Sequence, residues 1–205
     1  MSDLTVRGPL FGGQGTPSPF TSDGTGSQRV SDAHGRYAEA ARRKQVFYAA
    51  SQAATAWSVA LTTTYTGLVV YNPVNSPVNL EILQVGFALS VAPVAIAHIG
   101  LFSGFLAAGI TVHTTALVPS STFIGAPPGY GKADAAATLV GTPVWVDALG
   151  SGFTAGALYA TTPAKVDLAG LFVIPPGGYF GIGALTAVTG FGSVQWEEVP
   201  IIAST

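Results

Sequence analysis

Two adjacent carboxylates, Glu197 and Glu198, lie in the final stretch SVQWEEVPIIAST, a region with almost no other charge. A pair of carboxylates can act as general acid and base when both face one substrate. The alternation of Val194 and Trp196 with polar residues predicts a β-strand, which Pro200 ends. Because successive side chains of a strand point to opposite faces, this pair cannot form a catalytic dyad. We expect both acids to contact basic groups of the same chain or of a neighbouring subunit.

The loop APPGYGKA at residues 126–133 is a second candidate for chemistry, because it resembles a phosphate-binding loop in outline. That motif begins with a glycine and has a serine or threonine after the lysine to hold magnesium. Ala126 and Ala133 occupy those two positions, and Tyr130 is bulky for a loop that wraps a phosphate. The sequence therefore favours a tyrosine-tipped loop between two strands.

The histidines do not form a metal-binding pattern. His34, His98 and His113 are the only three, and their spacing is not that of a metal site. His98 and His113 lie in apolar stretches, where we expect a hydrogen-bonded histidine of a core or an interface. The sequence also has no cysteine and no G-x-S-x-G motif. We therefore predict a protein that is not an enzyme and that holds no cofactor and no metal; an enzyme with an unrecognised pocket is the alternative.

The chain after residue 45 consists of short apolar stretches between turn sequences. In LQVGFALSV, residues 83–91, the large apolar side chains share one parity, and this period of two predicts a strand. Similar stretches are TGLVVYN, AIAHIGLF, GITVHTTAL, TPVWVDAL, GLFVI, GGYFGIGALTAV and FGSVQWEEV. About seven to nine strands between Gly- and Pro-rich turns predict an all-β fold for residues 46–205, a jelly-roll-like antiparallel β-sandwich.

A membrane helix is a rival interpretation of residues 82–112. This tract has no Lys, Arg, Asp or Glu and is long enough to span a bilayer, with basic residues upstream of it. Pro93 and His98 interrupt it, and a strict period of two serves no purpose in a membrane helix. We therefore predict no membrane contact and keep a membrane protein as a lesser alternative.

Residues 1–45 differ in composition from the rest and predict an extended N-terminal arm. The segment GPLFGGQGTPSPFTSDGTGS is rich in Gly, Pro, Ser and Thr and has no period that could bury a face. Phe11 and Phe20 within this polar arm are expected to anchor it in a groove of a partner.

The end of the arm, SDAHGRYAEAARRKQ at residues 31–45, predicts a short helix. Ser31 or Asp32 would be its N-cap, and the basic cluster of Arg42, Arg43 and Lys44 would lie at its C-terminal end, where cations favour the helix dipole. This cluster is the expected counterpart of the two C-terminal acids. The predicted partner contacts are Phe11, Phe20, Tyr37, Arg42, Arg43, Glu197 and Glu198.

The overall composition indicates a component of an assembly. Only 9% of residues are charged and 48% are hydrophobic, whereas ordinary soluble domains have roughly 25% charged residues. A surface with so little charge is expected to be covered in part by other subunits. The net charge of −2 gives no general attraction to nucleic acid. No secretory signal is evident at the N-terminus, so we expect synthesis in the cytoplasm.

Two segments resemble a known group of proteins. TTTYTGLVVYNPVNSPVNLEILQVGFAL (residues 62–89) and FVIPPGGYFGIGALTAVTGFGSVQWEEVP (residues 172–200) are similar to virion proteins of tailed bacteriophages that pair a "GL-x-x-YNP…N-L…GFAL" segment with a "PPGGY…W-E-E-V-P" segment. Together the two segments cover about a quarter of the chain. The resemblance implies a structural protein of the particle, of the capsid decoration or cement type, whose arm ties neighbouring subunits together.

The resulting hypothesis is a homotrimeric β-sandwich on the capsid surface, with the major capsid protein or another virion protein as its partner. In this hypothesis it is made in the host cytoplasm and binds across neighbouring capsid subunits. Two alternatives stay open beside those above: a carbohydrate-binding module that uses Trp57, Trp145, Trp196 and loop tyrosines, and a module associated with the tail or a fibre.

Overall fold

The computed structural model describes residues 36–59, 61–91, 93, 95–106, 112–153 and 164–201, apart from the side chains of residues 112–114, 151–153 and 164. The chain divides into two compact units, Met1–Ala38 and Glu39–Thr205. In the first unit, the Arg36 guanidinium lies 5.8 Å from the ring centre of Tyr37. The arm anchors expected from the sequence, Phe11 and Phe20, lie outside the described residues, as do the expected caps Ser31 and Asp32.

The predicted helix is short. Within the described part of the chain it is α1 (Ala38–Arg42), five residues with Arg42 in its last turn, as expected. Lys44 then adopts a left-handed φ of 62°, and the Gln45 N–H donates to the carbonyl of Ala40 at 3.0 Å. A left-handed residue followed by such a bond is a common way to end a helix. The chain therefore turns directly from α1 into the first strand.

Strands make up most of the second unit, and the all-β antiparallel sandwich predicted from the sequence is confirmed. Twelve are described: β1 (Val46–Ala50), β2 (Thr55–Trp57), β3 (Thr64–Tyr71), β4 (Val78–Leu89), β5 (Ala97–Phe105), β6 (Val112–Leu117), β7 (Ser120–Ser121), β8 (Lys132–Thr138), β9 (Val144–Phe153), β10 (Ala164–Ile174), β11 (Gly178–Ala184) and β12 (Val188–Pro200). The number exceeds the sequence-based expectation in part because β2 and β7, with three and two residues, are too short to show a period.

The strands form two six-stranded sheets. Sheet I has the order β10-β4-β12-β1-β7, with β2 also paired to β12, and sheet II has the order β6-β8-β3-β11-β5-β9. Every pair between these strands is antiparallel. The consecutive strands β3, β4 and β5 therefore alternate between the two sheets, and so do β9, β10, β11 and β12.

The main hydrophobic core contains side chains from both sheets. Leu80, Ile82 and Trp196 of sheet I and Leu68 and Ile182 of sheet II belong to one cluster and are fully buried. Burial of each large apolar side chain stabilises a fold by about 1.5–3 kcal/mol, so this layer is the main source of cohesion. The period of two read from the sequence is what directs these residues to one side of each strand.

A bulge interrupts that period in β4. Gln84 pairs with Gln195 and Ile82 pairs with Trp196, so Leu83 has no partner on β12. The extra residue shifts the inward parity, and Leu83 and Val85 are both buried. Val91, expected on the core side of this strand, lies beyond its end and is 55% exposed.

The outer face of sheet II has an aromatic cluster of its own. Phe180 of β11 belongs to the main core, and the adjacent Tyr179 belongs to a second cluster with Tyr65 and Phe102. The Tyr65 and Phe102 rings meet edge to face at 4.8 Å, and burial raises the pKa of the Tyr65 phenol. Its hydroxyl donates to the carbonyl of Ile182. This sheet is therefore covered by apolar side chains on both faces.

The tract weighed as a membrane helix contains most of β4, the whole of β5 and the first residue of β6. Among the described residues, none of the helical structure is long and apolar enough to traverse a bilayer.

Candidate functional site

Strand β12 carries Glu197 and Glu198 to opposite faces, as the sequence predicts. Burial alternates along the strand, and Glu198 lies on the same side as Val194 and Trp196 with 6% of its surface exposed. Glu197 faces the other way and is only partly buried. The two carboxylates therefore have separate surroundings and separate roles.

Glu198 binds the backbone of the loop between β7 and β8. Its Oε2 atom accepts a hydrogen bond from the N–H of Tyr130 at 3.0 Å, and its Oε1 atom accepts one from the N–H of Gly131 at 2.8 Å. The indole N–H of Trp196 lies 3.4 Å from Oε1. Donors to an ionised carboxylate form strong hydrogen bonds, which offset the cost of burying it. The geometry assigns Glu198 this internal role, which differs from the contact with a basic partner that we expected.

The glycines of this loop leave room for the Glu198 clamp. A Cβ atom on Gly129 would clash with the Glu198 carboxylate, and one on Gly131 would lie 2.8 Å from Nε1 of Trp196. Like those of a phosphate-binding loop, the backbone N–H groups of this loop bind an anion. That anion is the chain's own glutamate, and Tyr130 is an exposed side chain of the loop, as the sequence favoured.

Glu197 lies among other charged groups on the outer face of sheet I. It is in register with Glu81 on β4 and with Val46 on β1. Desolvation and the charge of Glu81 raise the pKa of Glu197, whereas Arg43 lowers it. Arg43 also forms an ion pair with Glu39 at 3.0 Å, one helical turn away. Arg43 is thus the member of the predicted basic cluster whose charge acts on Glu197.

The loop that follows β7 displays apolar side chains at a fixed position. The carbonyl of Val46 accepts hydrogen bonds from the N–H of Thr122 at 2.9 Å and from its hydroxyl at 3.1 Å. The ammonium of Lys44 lies 5.4 Å from the centre of the Phe123 ring, within reach of a cation–π contact. Ile124, the next residue, is 93% exposed.

We call the exposed side chains of Val118, Phe123 and Ile124 the apolar tip. Val118, just before β7, is 84% exposed, and Phe123 is 46% exposed. Sequence reasoning missed this surface. The available signal was the pair Phe123–Ile124 between polar residues and the turn sequence GAPPG, in a loop where apolar residues are unexpected.

A second exposed apolar area lies where the edge strands β9 and β10 approach the end of β5. Phe105, Val144 and Val173 are at least half exposed and line a groove of about 320 Å³. Leu171, at the bulge of β10, is 72% exposed. The apolar tip and this groove are two of the places where the second unit exposes large apolar side chains.

The described residues contain no group of three or more His, Asp or Glu side chains that could hold a metal ion. His98 is on β5 and is exposed, so it is not a histidine of the core, and the expected interface position stays a prediction. His113 lies in β6, but its side chain is not among the described parts of the chain. His34 lies wholly outside the described residues.

The tryptophans differ in exposure. Trp57 and Trp196 are buried, at 3% and 0% exposure, so neither can present a ring to a sugar as the carbohydrate-binding alternative required. Trp145 of β9 is partly exposed and lines a pocket.

Comparison with known proteins adds no relative: no family model, no curated protein and no solved structure matches this chain.

Proposed function

We propose that this chain is a structural protein of a virion, of the capsid decoration or cement type, that works by binding and not by catalysis. The observation that carries the proposal is the exposure of large apolar side chains on a hydrogen-bonded β-body with little charge. Ile124, Val118 and Leu171 are 93%, 84% and 72% exposed in a chain with 9% charged residues. Such side chains are unfavourable in water, and burial against another protein removes that cost.

The order of the strands supports the finer assignment of a jelly roll. Four strands of sheet I follow the order β1-β12-β4-β10, and four of sheet II follow the order β3-β11-β5-β9. Two sheets with these strand orders are what the two Greek keys of a jelly roll would produce, so the topology supports this part of the proposal. Jelly rolls are frequent in viral capsid proteins, so the topology agrees with a virion protein as a matter of analogy.

The resemblance of residues 62–89 and 172–200 to tailed-phage virion proteins supports the same proposal. These segments include β3, β4, β11 and β12, four of the strands that build both sheets. The resemblance therefore rests on core strands and their turns. It supports the proposed class of protein and assigns no role to a single residue.

In the proposed mechanism, a homotrimer on the capsid surface binds across neighbouring capsid proteins. The apolar tip and the edge around Phe105 supply contacts of the body, and residues 1–45 supply contacts of the arm. Many weak contacts repeated by symmetry give a high total affinity without one strong site. Arg42 and Arg43, which are both exposed, and Tyr37 are the arm residues with a described position that would take part.

The test is decoration of particles by truncated and full-length protein. Deletion of residues 1–30 should leave a folded body, because the described strands begin at Val46, and this body should no longer bind particles that lack the protein. Circular dichroism checks the fold, and the occupancy is measured by electron microscopy. The proposal of an arm contact is overturned if the truncated protein decorates at the original occupancy. If the full-length protein is found only on tails or fibres, the proposed capsid location is wrong and the alternative of a module associated with the tail or a fibre is supported.

A further inference from the structure

A pocket on the outer face of sheet II has no part in the proposed assembly contacts. It lies between β5 and β9, has a volume of about 310 Å³, and is lined by His98, Gly100, Trp145, Asp147 and Leu185 among others. Small-molecule sites in proteins begin at about 300 Å³, so this pocket has room for one small ring. None of these residues belongs to the apolar tip or to the groove at Phe105.

Two glycines allow the Trp145 indole to rest directly on the sheet. A Cβ atom placed on Gly100 would lie 3.0 Å from Cε3 of the indole, and one on Gly183 would lie 2.9 Å from Cη2. Any side chain at either position would displace the ring. Phe102, which pairs with Trp145 in the ladder, meets it edge to face, with ring centres 6.2 Å apart and planes at 89°. The indole is therefore held in place while part of it stays exposed.

The other side chains of the pocket combine an aliphatic surface with polar groups. Leu185 is 48% exposed, and His98 and Asp147 are also exposed. Oδ1 of Asp147 accepts a hydrogen bond from the N–H of Ala148 at 2.8 Å, which orients the carboxylate. One imidazole and one carboxylate beside an indole give both donor and acceptor groups at the edge of an apolar wall.

We propose that this pocket binds a neutral pyranose ring of a glycan. The C–H face of the sugar packs against Trp145 and Leu185, and its hydroxyls form hydrogen bonds with the Asp147 carboxylate and the His98 imidazole. A sugar ring has one apolar face and a polar edge, which matches this arrangement of groups. The carboxylate disfavours acidic sugars and phosphates, since it would repel a second negative charge in the site. This inference does not depend on the proposed role in a virion.

The experiment uses the intrinsic tryptophan fluorescence of the full-length protein. The other two tryptophans, Trp57 and Trp196, are buried, so a ligand that changes the emission by direct contact does so at Trp145. The probes are the methyl glycosides of glucose, galactose, mannose and N-acetylglucosamine, followed by an array of neutral and acidic glycans. We expect at least one neutral pyranose to change the tryptophan emission with saturation, and neutral glycans to be retained on the array.

Variants decide whether the signal comes from this pocket. Trp145→Ala should abolish binding on the array, and Asp147→Asn should weaken it about tenfold, the effect of about one hydrogen bond to a charged group. Trp145→Phe, which keeps a ring against the glycines, should fold and bind more weakly than the natural chain. The matched control, Phe123→Ala, removes an exposed aromatic ring elsewhere and should bind as the natural chain does.

Three outcomes would overturn the proposal. One is that no neutral pyranose alters the emission or is retained on the array. Another is that binding persists unchanged in Trp145→Ala and Asp147→Asn while both variants are folded. The third is a preference for acidic glycans, which would contradict the role given to Asp147. Particle decoration tests the virion proposal, whereas fluorescence and glycan arrays test the pocket. Failure of one proposal therefore does not contradict the other.

Discussion

The carboxylate of Glu198 lies 2.8 Å from the backbone nitrogen of Gly131, a contact that joins residues 67 positions apart in the sequence. It connects the last strand, β12, to the loop that carries Phe123 and Ile124 of the apolar tip and leads into β8. The same glutamate donates its own N–H to the carbonyl of Gln45, just before β1. One residue thus links three segments at this end of the second unit.

The first prediction concerns the charge of this contact. Glu198→Gln replaces one acceptor oxygen with an NH₂ group, so one of the two backbone N–H groups of the loop loses its acceptor. A buried donor left without a partner costs about 1–3 kcal/mol, and we expect the free energy of unfolding to fall by that amount. Urea denaturation followed by circular dichroism measures it. Glu197→Gln, the neighbouring control, should not lower stability, and equal losses in both variants would contradict the assigned role.

The second prediction concerns the space that the loop glycine provides. Gly131→Ala places a methyl group against the buried indole of Trp196, which has no room to move in the main core. Overpacking of this kind costs about 1–3 kcal/mol. The control is Gly125→Ala in the same loop, where the new methyl group meets nothing within 4 Å but the φ of 88° is unfavourable for alanine. Thermal unfolding should rank Gly131→Ala as the less stable variant.

The third prediction is a pH dependence from Glu197. Desolvation, then the charge of Glu81, raises its pKa in the folded protein, so the folded state holds the proton more tightly than the unfolded chain does. Protonated Glu197 therefore makes its full contribution to stability below the pKa of a glutamate in the unfolded chain, about 4.3. This contribution is lost as the pH rises through the raised pKa of Glu197 in the folded protein. Glu197→Gln should be more stable than the natural chain above that range, by less than about 1 kcal/mol because the group is solvent-screened.

Denaturation curves at pH 4 and pH 7 measure this difference, which should disappear at the lower pH. Two further variants separate the causes. In an NMR titration, Glu81→Gln should lower the pKa of Glu197, and Arg43→Ala should raise it. No movement of the Glu197 titration in either variant would show that these two charges do not act on it.

The fourth prediction concerns the apolar tip. Ile124→Asp places a charge on a side chain that is 93% exposed, so the free energy of unfolding should stay within about 0.5 kcal/mol of the natural value. Burial of the charge against a partner is costly, and binding to particles should fall at least about tenfold. Ala53→Asp, an exposed position in the loop between β1 and β2 and away from both proposed contact surfaces, is the control for added charge. Unchanged particle occupancy for Ile124→Asp would remove the tip from the assembly contacts.

The sequence predicted the parts of the fold that depend on periodicity. Seven stretches chosen for their apolar pattern overlap β3, β5, β6, β9, β10, β11 and β12, because alternation of side chains is a local property of a strand. The pattern failed at Val91, which lies beyond the end of β4, and it did not reveal the bulge at Leu83, which is fixed by pairing with β12. A bulge depends on the partner strand, and a single strand's sequence does not specify it.

The sequence alone determined that Glu197 and Glu198 face opposite ways and that the APPGYGKA loop has no metal-binding hydroxyl, since both follow from neighbouring residues. Only the tertiary structure decided that Glu198 is the anion held by that loop, that Trp145 is the tryptophan left accessible, and that Ile124 is displayed to solvent. Those outcomes depend on contacts between segments tens of residues apart, and no local pattern encodes which segments meet.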